Sequence, residues 1–151
     1  MKNVLTVALT ALLTAAVLQP GGALNAAPFA AHVTDGTVKV TVTYKGKGQV
    51  DATHKLWVYL FDNPNIGPGA MPIGIVSLDK NGADAVFDGV AGDKAFIAVA
   101  FDENGTMTQE GPPASGSPVA ILVGADGAPG SVTPGAKSPA VVTFDDTIRM
   151  P

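Results

Sequence analysis

The side chains able to act as ligands, bases or nucleophiles are few: two histidines, five serines and no cysteine. Without cysteine there is no disulfide, no thiolate metal site, no cysteine nucleophile and no acylated lipobox. His54 lies between Thr53 and Lys55 where a strand begins, a place typical of a surface residue. His32, in Ala30-Ala31-His32, would bind copper together with a free amine only if the chain were cut just before it. Phe29, three places back, makes a poor cleavage signal, and imidazoles are too few for a copper protein. None of Ser77, Ser115, Ser117, Ser131 and Ser138 stands in a Gly-x-Ser-x-Gly elbow, so a serine triad has no support.

The acidic residues offer more. Asp62, Asp88, Asp93, Asp102, Glu103, Asp145 and Asp146 all fall where strands are expected to end. If Asp62 and Asp102 close neighbouring strands that run the same way, they meet at one pole, where converging oxygens suit Ca²⁺. Against this, Asp102-Glu103-Asn104-Gly105 lacks the acid spacing of an EF-hand loop, and aspartate favours turns in its own right. Adjacent carboxyls such as Asp102 and Glu103 do not flank a cleft as a glycosidase pair must. Trp57, Tyr59 and Phe61 share one face of a strand; open, they would stack on a sugar, but such a stripe is more often packed. The candidate ligand-binding residues are therefore Trp57, Tyr59, Asp62, Asp102 and Glu103. No catalytic residue, metal ligand or cofactor is expected, and Trp57 is expected to be buried.

The element that positions these residues is Lys55-Leu56-Trp57-Val58-Tyr59-Leu60-Phe61. Alternate residues point to opposite faces of a strand and both sets are apolar, so this is a central strand covered on both sides. Asp62-Asn63-Pro64-Asn65 ends it. Lys94 to Phe101, also apolar on both faces, is its natural partner. Ahead of it Thr37 to Tyr44 alternates strictly, with Val38, Val40, Val42 and Tyr44 inward. Lys45-Gly46-Lys47-Gly48 is a polar loop; its lysines are not followed by a helix start that would complete an anion site.

Met71 to Leu78 resumes as a strand, at an edge because of Pro72. Asp79-Lys80-Asn81-Gly82 signals a type I′ hairpin returning through Ala83 to Phe87. Thr106 to Ser117 is a long loop, Pro118 to Val123 a strand, Gly124 to Ser138 an extended connection, and Ser138 to Asp145 the last strand.

Composition agrees. The 18 glycines and 12 prolines suit many turns, and the 15% charged residues are too few for a long disordered chain. A net charge of −4 gives no electrostatic basis for nucleic-acid binding. Met1-Lys2-Asn3, the uncharged run Val4 to Leu18 and the breaker Gln19-Pro20-Gly21-Gly22 have the layout of a secretory signal peptide. The run of about 15 residues is short for a membrane span of roughly 20. The expected divisions are a signal helix over 1–26, a lead-in over 27–36, a domain over 37–146 and a tail over 147–151. The fold class is all-β: one antiparallel sandwich of about seven strands, immunoglobulin-like or prealbumin-like.

Val38-x-Val-x-Val-x-Tyr44, Leu56-Trp-Val-Tyr-Leu-Phe61, Asn81-Gly82-Ala-Asp-Ala-Val-Phe87-Asp-Gly-Val90 and Ala91-Gly-Asp-Lys-Ala-Phe96-Ile-Ala-Val-Ala100 together resemble a carboxypeptidase regulatory-like domain of the transthyretin-like group. The resemblance covers about half of the mature chain, its motifs are structural, and it implies a non-catalytic module of an exported protein. The same group includes hydroxyisourate hydrolase, but that enzyme's C-terminal Tyr-Arg-Gly-Ser is missing from Thr147-Ile-Arg-Met-Pro151, so that activity is not expected. The expectation is a secreted or periplasmic binding or structural module and a monomer. Its partner is a protein or carbohydrate, with no nucleic acid and no membrane contact once the signal is removed. A Ca²⁺- or copper-binding protein and a small exported hydrolase are the rival classes.

Overall fold

The computed structural model describes residues 36–109 and 111–151. The expected signal segment, the lead-in up to Asp35 and His32 lie outside them. Among the described residues there is no helix; eight strands form two sheets. The strands are β1 (Gly36–Tyr44), β2 (Leu56–Phe61), β3 (Gly74–Leu78), β4 (Asp84–Val90), β5 (Ala95–Phe101), β6 (Val119–Ile121), β7 (Ser131–Val132) and β8 (Ala140–Phe144). One sheet has the order β4-β1-β8; the other has β3-β2-β5-β6, with β7 also on β5.

β2 is the centre of the larger sheet, antiparallel to β3 on one side and to β5 on the other, in register from Leu56↔Phe101 to Phe61↔Phe96. Every residue of β2 is buried. One face, Leu56, Val58 and Leu60, packs with Val38, Val40, Val42 and Tyr44 of β1 and Val142 and Phe144 of β8 in a core shared by both sheets. The other face, Trp57, Tyr59 and Phe61, joins Phe96 and Ala100 in a second cluster, under Ile66, Ala70 and Met107 from the loops. The alternation of β1 and the double-sided character of β2 and β5 thus place two layers of apolar contact on the larger sheet.

Several expectations are corrected. Pairing is not antiparallel throughout: β8 runs parallel to β1, from Val40↔Ala140 to Tyr44↔Phe144. The extended connection contains β7, which raises the strand count above seven. Asn81-Gly82 does not close a hairpin, because β3 and β4 belong to different sheets. Gly82 has the positive φ the sequence implies, +77°, but Asn81 does not, so the turn is not type I′. Instead the Asn81 side chain grips β1: its Oδ1 accepts from Tyr44 N at 2.8 Å and its Nδ2 donates to Tyr44 O at 2.7 Å. Gly82 N then donates to Val42 O at 2.8 Å, and the chain is steered from one sheet to the other.

The C-terminal residues are not a free tail. Val119 N donates to Ile148 O, Met150 N to Ser117 O and Gly116 N to Met150 O, at 2.8 to 3.0 Å. After leaving β8 of the smaller sheet, residues 148–150 lie antiparallel to the approach to β6 and strap one sheet to the other.

Candidate functional site

The loops after β1 and β5 and the C-terminal strap meet at one end of the two sheets. There Asp51 organises a tight turn: its Oδ1 accepts from Thr53 N and His54 N, each at 2.8 Å, and His54 Nδ1 lies 3.1 Å away. The backbone N–H groups of His54 and Thr53 hold the Asp51 carboxyl below its ordinary pKa, with the imidazole adding to them. In the neutral tautomer that donates Nδ1–H to Asp51, Nε2 of His54 is left as an acceptor. Asp51 and His54 line an open cleft of about 380 Å³, together with Lys47, Gln49 and Glu103.

The inner wall of the cleft is Phe101, the last residue of β5. Gly48 closes on it with φ at +119°, and a Cβ there would stand 2.8 Å from Phe101 Cε1. Only glycine satisfies both the backbone angle and the approach. Glu103 is fixed by the strap: Arg149 donates Nη1 to Oε2 at 2.7 Å and Nη2 to Oε1 at 3.1 Å, a two-pronged pair. Arg149 Nη1 also reaches Gly116 O at 2.6 Å. The sequence marked the lysine loop, His54 and Glu103 as separate features; nothing in their spacing shows that the β1–β2 loop folds back beside the end of β5.

The candidate ligand residues Trp57, Tyr59, Asp62, Asp102 and Glu103 do not form one site. Because β2 and β5 are antiparallel, Asp62 and Asp102 leave the sheet at opposite ends, and the shared Ca²⁺ pole is overturned. Asp62 is exposed and accepts from Asn63 Nδ2 at 2.7 Å. Asp102 is 2% exposed, and its two oxygens accept from Thr106 N at 3.0 Å and Met107 N at 2.9 Å. That carboxylate shapes the β5–β6 loop. Among the described residues no group of three or more His, Asp and Glu is placed to hold a metal.

Trp57 and Tyr59 are 6% and 4% exposed. The open sugar platform is therefore not present on this face, and the packing expected for Trp57 is. Among the described residues neither Trp57 Nε1 nor Tyr59 Oη has a hydrogen-bond partner. Burial, reinforced by the charge of Asp102, pushes the Tyr59 hydroxyl up to about 12.

No family model matches the chain, and no curated protein or solved structure resembles it significantly.

Proposed function

We propose that the chain is an exported, non-enzymatic β-sandwich of the prealbumin-like kind that works by binding in the periplasm or at the cell surface, through the pole that carries His54. The observation that carries this reading is the cleft itself. Lys47, Gln49, Asp51, His54 and Glu103, of both charges, stand around a Phe101 wall on loops held by rigid strands. Loops displayed at the end of a rigid scaffold are where recognition residues concentrate. The resemblance to carboxypeptidase regulatory-like domains and the signal-like first 26 residues support the same reading. A hydrolase is disfavoured because His54 and Asp51 have no serine among the residues lining the cleft.

Export is tested by fractionating producing cells and sequencing the N-terminus. A chain beginning at Ala27 outside the cytoplasm is expected; an uncut chain kept in the cytoplasm overturns the reading. The binding role is tested with a matched pair of variants. Lys47→Glu with His54→Ala changes the cleft, and Lys39→Glu changes an exposed position on the smaller sheet. Retention of envelope components is expected to be lost with the first variant and kept with the second. Equal retention by both places the binding elsewhere.

A further inference from the structure

We infer that the outer face of β2 is a second binding site, for a neutral sugar ring, closed in this structure by residues 62–73 acting as a flap. This site is separate from the cleft at His54 and does not depend on it. The first observation is the pair of orphaned donors. Trp57 Nε1 and Tyr59 Oη are two residues apart on one strand face, both buried and, among the described residues, both without a partner. Phe or Leu would fill the same space with no such donor, and a buried donor left unpaired is destabilising. The larger aromatics are explained if their polar atoms have a partner to meet.

The second observation is what surrounds the rings. Trp57 stands opposite Ala100 on one side and Ser77 on the other; Tyr59 stands opposite Ala98 and Ile75. Trp57 thus has small residues on both sides, whereas Tyr59 has a small one only on the β5 side. A pyranose presents an apolar C–H face and a rim of hydroxyls. The first suits the ring faces of Trp57 and Tyr59, and the second can accept from their N–H and O–H.

The third observation is how the flap is held. Asn65 N donates to Asn63 Oδ1 at 3.1 Å, Ile66 N to Pro64 O at 2.9 Å and Ala70 N to Gly67 O at 2.9 Å. Among the described residues these bonds close within the flap, which is anchored where Ile73 N donates to Leu60 O at 2.7 Å. On the aromatic face it rests through the half-buried Ile66 and Ala70, while Met107 and Val119 pack on the same cluster from outside the flap. Gly67 and Gly69 have open space around them. Within the flap Met71 is 80% and Ile73 50% exposed, so these two side chains do not help to seat it. A segment seated by two side chains opens at far lower cost than the strands beneath it.

Trp57 is the chain's only tryptophan, so its emission reports this site alone. The protein, in the form its producing cells accumulate, is titrated separately with maltohexaose, cellohexaose and chitohexaose. A saturable change in Trp57 emission with at least one of them is expected, and Tyr59→Phe should weaken that binding about fivefold by removing one hydrogen bond. The melting temperature of Tyr59→Phe without sugar should be equal to or above that of the parent, because an unpaired hydroxyl has been removed. Absence of any emission change at millimolar sugar overturns the inference. So does a lower melting temperature of Tyr59→Phe with unaltered sugar binding, the result expected if internal water satisfies both donors.

Discussion

The Tyr44 hydroxyl donates to the Asp146 carboxylate, joining the end of β1 to the start of the C-terminal strap. The other carboxylate oxygen accepts from Lys47 N at 2.8 Å, so Asp146 also fixes the first residues of the cleft loop. The Tyr44 ring is itself held between Phe101 and Phe144, with centroids 4.3 and 5.1 Å away. One side chain thus ties both sheets to the pole on which the candidate cleft stands.

Tyr44→Phe keeps the ring and removes the donor. It is expected to cost about 1 kcal/mol, lowering the melting temperature by about 4 °C. The acid limb should change too. The Tyr44 hydrogen bond, followed by the Lys47 N–H, holds the Asp146 carboxyl below its ordinary 3.8. Its contribution is therefore complete above that pH and is lost as pH falls through the lower folded value. Melting curves between pH 5 and 2 should show a shallower acid loss in the variant than in the parent. An identical pH dependence would mean that Asp146 is held by the Lys47 N–H alone.

Much of this arrangement is legible in the sequence. The alternation from Thr37 to Tyr44 and the two-faced run from Leu56 to Phe61 identify β1 and β2, because both are local patterns with a period of two residues. The pairing of β5 with β2 and the edge position of β3 also follow from local chemistry. What the sequence hides is non-local. Asn81-Gly82 looks like a hairpin because its dipeptide chemistry is that of one; only the capture of Asn81 by the Tyr44 backbone turns it into a corner between sheets. Thr147 to Pro151 carries no strand signal, since its pairing is set by partners more than 25 residues away. The cleft is hidden for the same reason: Gln49, Asp51 and Glu103 meet only after β1, β2 and β5 are in place.

Alkaline stability follows the two buried tyrosines. Burial raises both hydroxyls, with the Asp146 hydrogen bond adding to the effect for Tyr44 and the charge of Asp102 for Tyr59. An unfolded tyrosine ionises near 10, whereas Tyr59 keeps its proton to about 12. Between these values the unfolded state binds fewer protons, so stability is complete below pH 10 and falls as pH rises. The melting temperature should drop across that interval, and Tyr59→Phe should reduce the drop. An unchanged slope would show that Tyr59 does not stay protonated in the native state.

Removal of residues 148–151 tests the strap. It deletes three backbone hydrogen bonds to residues 116–119 and the Arg149 grip on Glu103 and Gly116. A loss of about 2–4 kcal/mol in urea unfolding is expected. Arg149→Ala keeps the backbone pairing and should have a much smaller effect, because the ion pair is exposed. A truncated chain as stable as the parent would reduce these residues to a passive tail.

The outer strands bear on self-association. β3 is one edge of the larger sheet and β8 one edge of the smaller. An unprotected edge is a template for pairing with a second chain. Pro72 lies just ahead of β3 and Pro139 just ahead of β8, and each removes an N–H from the approach to its ladder. β6 begins at Val119, and the strap pairs with the residues immediately before it. The side chains on β8 do not protect it, since Val141 is 60% exposed; protection there falls to the proline and to the net charge of −4, which salt screens. The parent protein is therefore expected to be monomeric by light scattering at micromolar concentration. Pro139→Thr should restore the donor on the β8 side and promote dimers, more so at high salt. Pro72→Thr should do so less, because Pro72 stands two residues before β3 begins at Gly74, whereas Pro139 directly precedes Ala140 of β8. A parent protein that is already dimeric through β8 would show that Pro139 does not guard the edge.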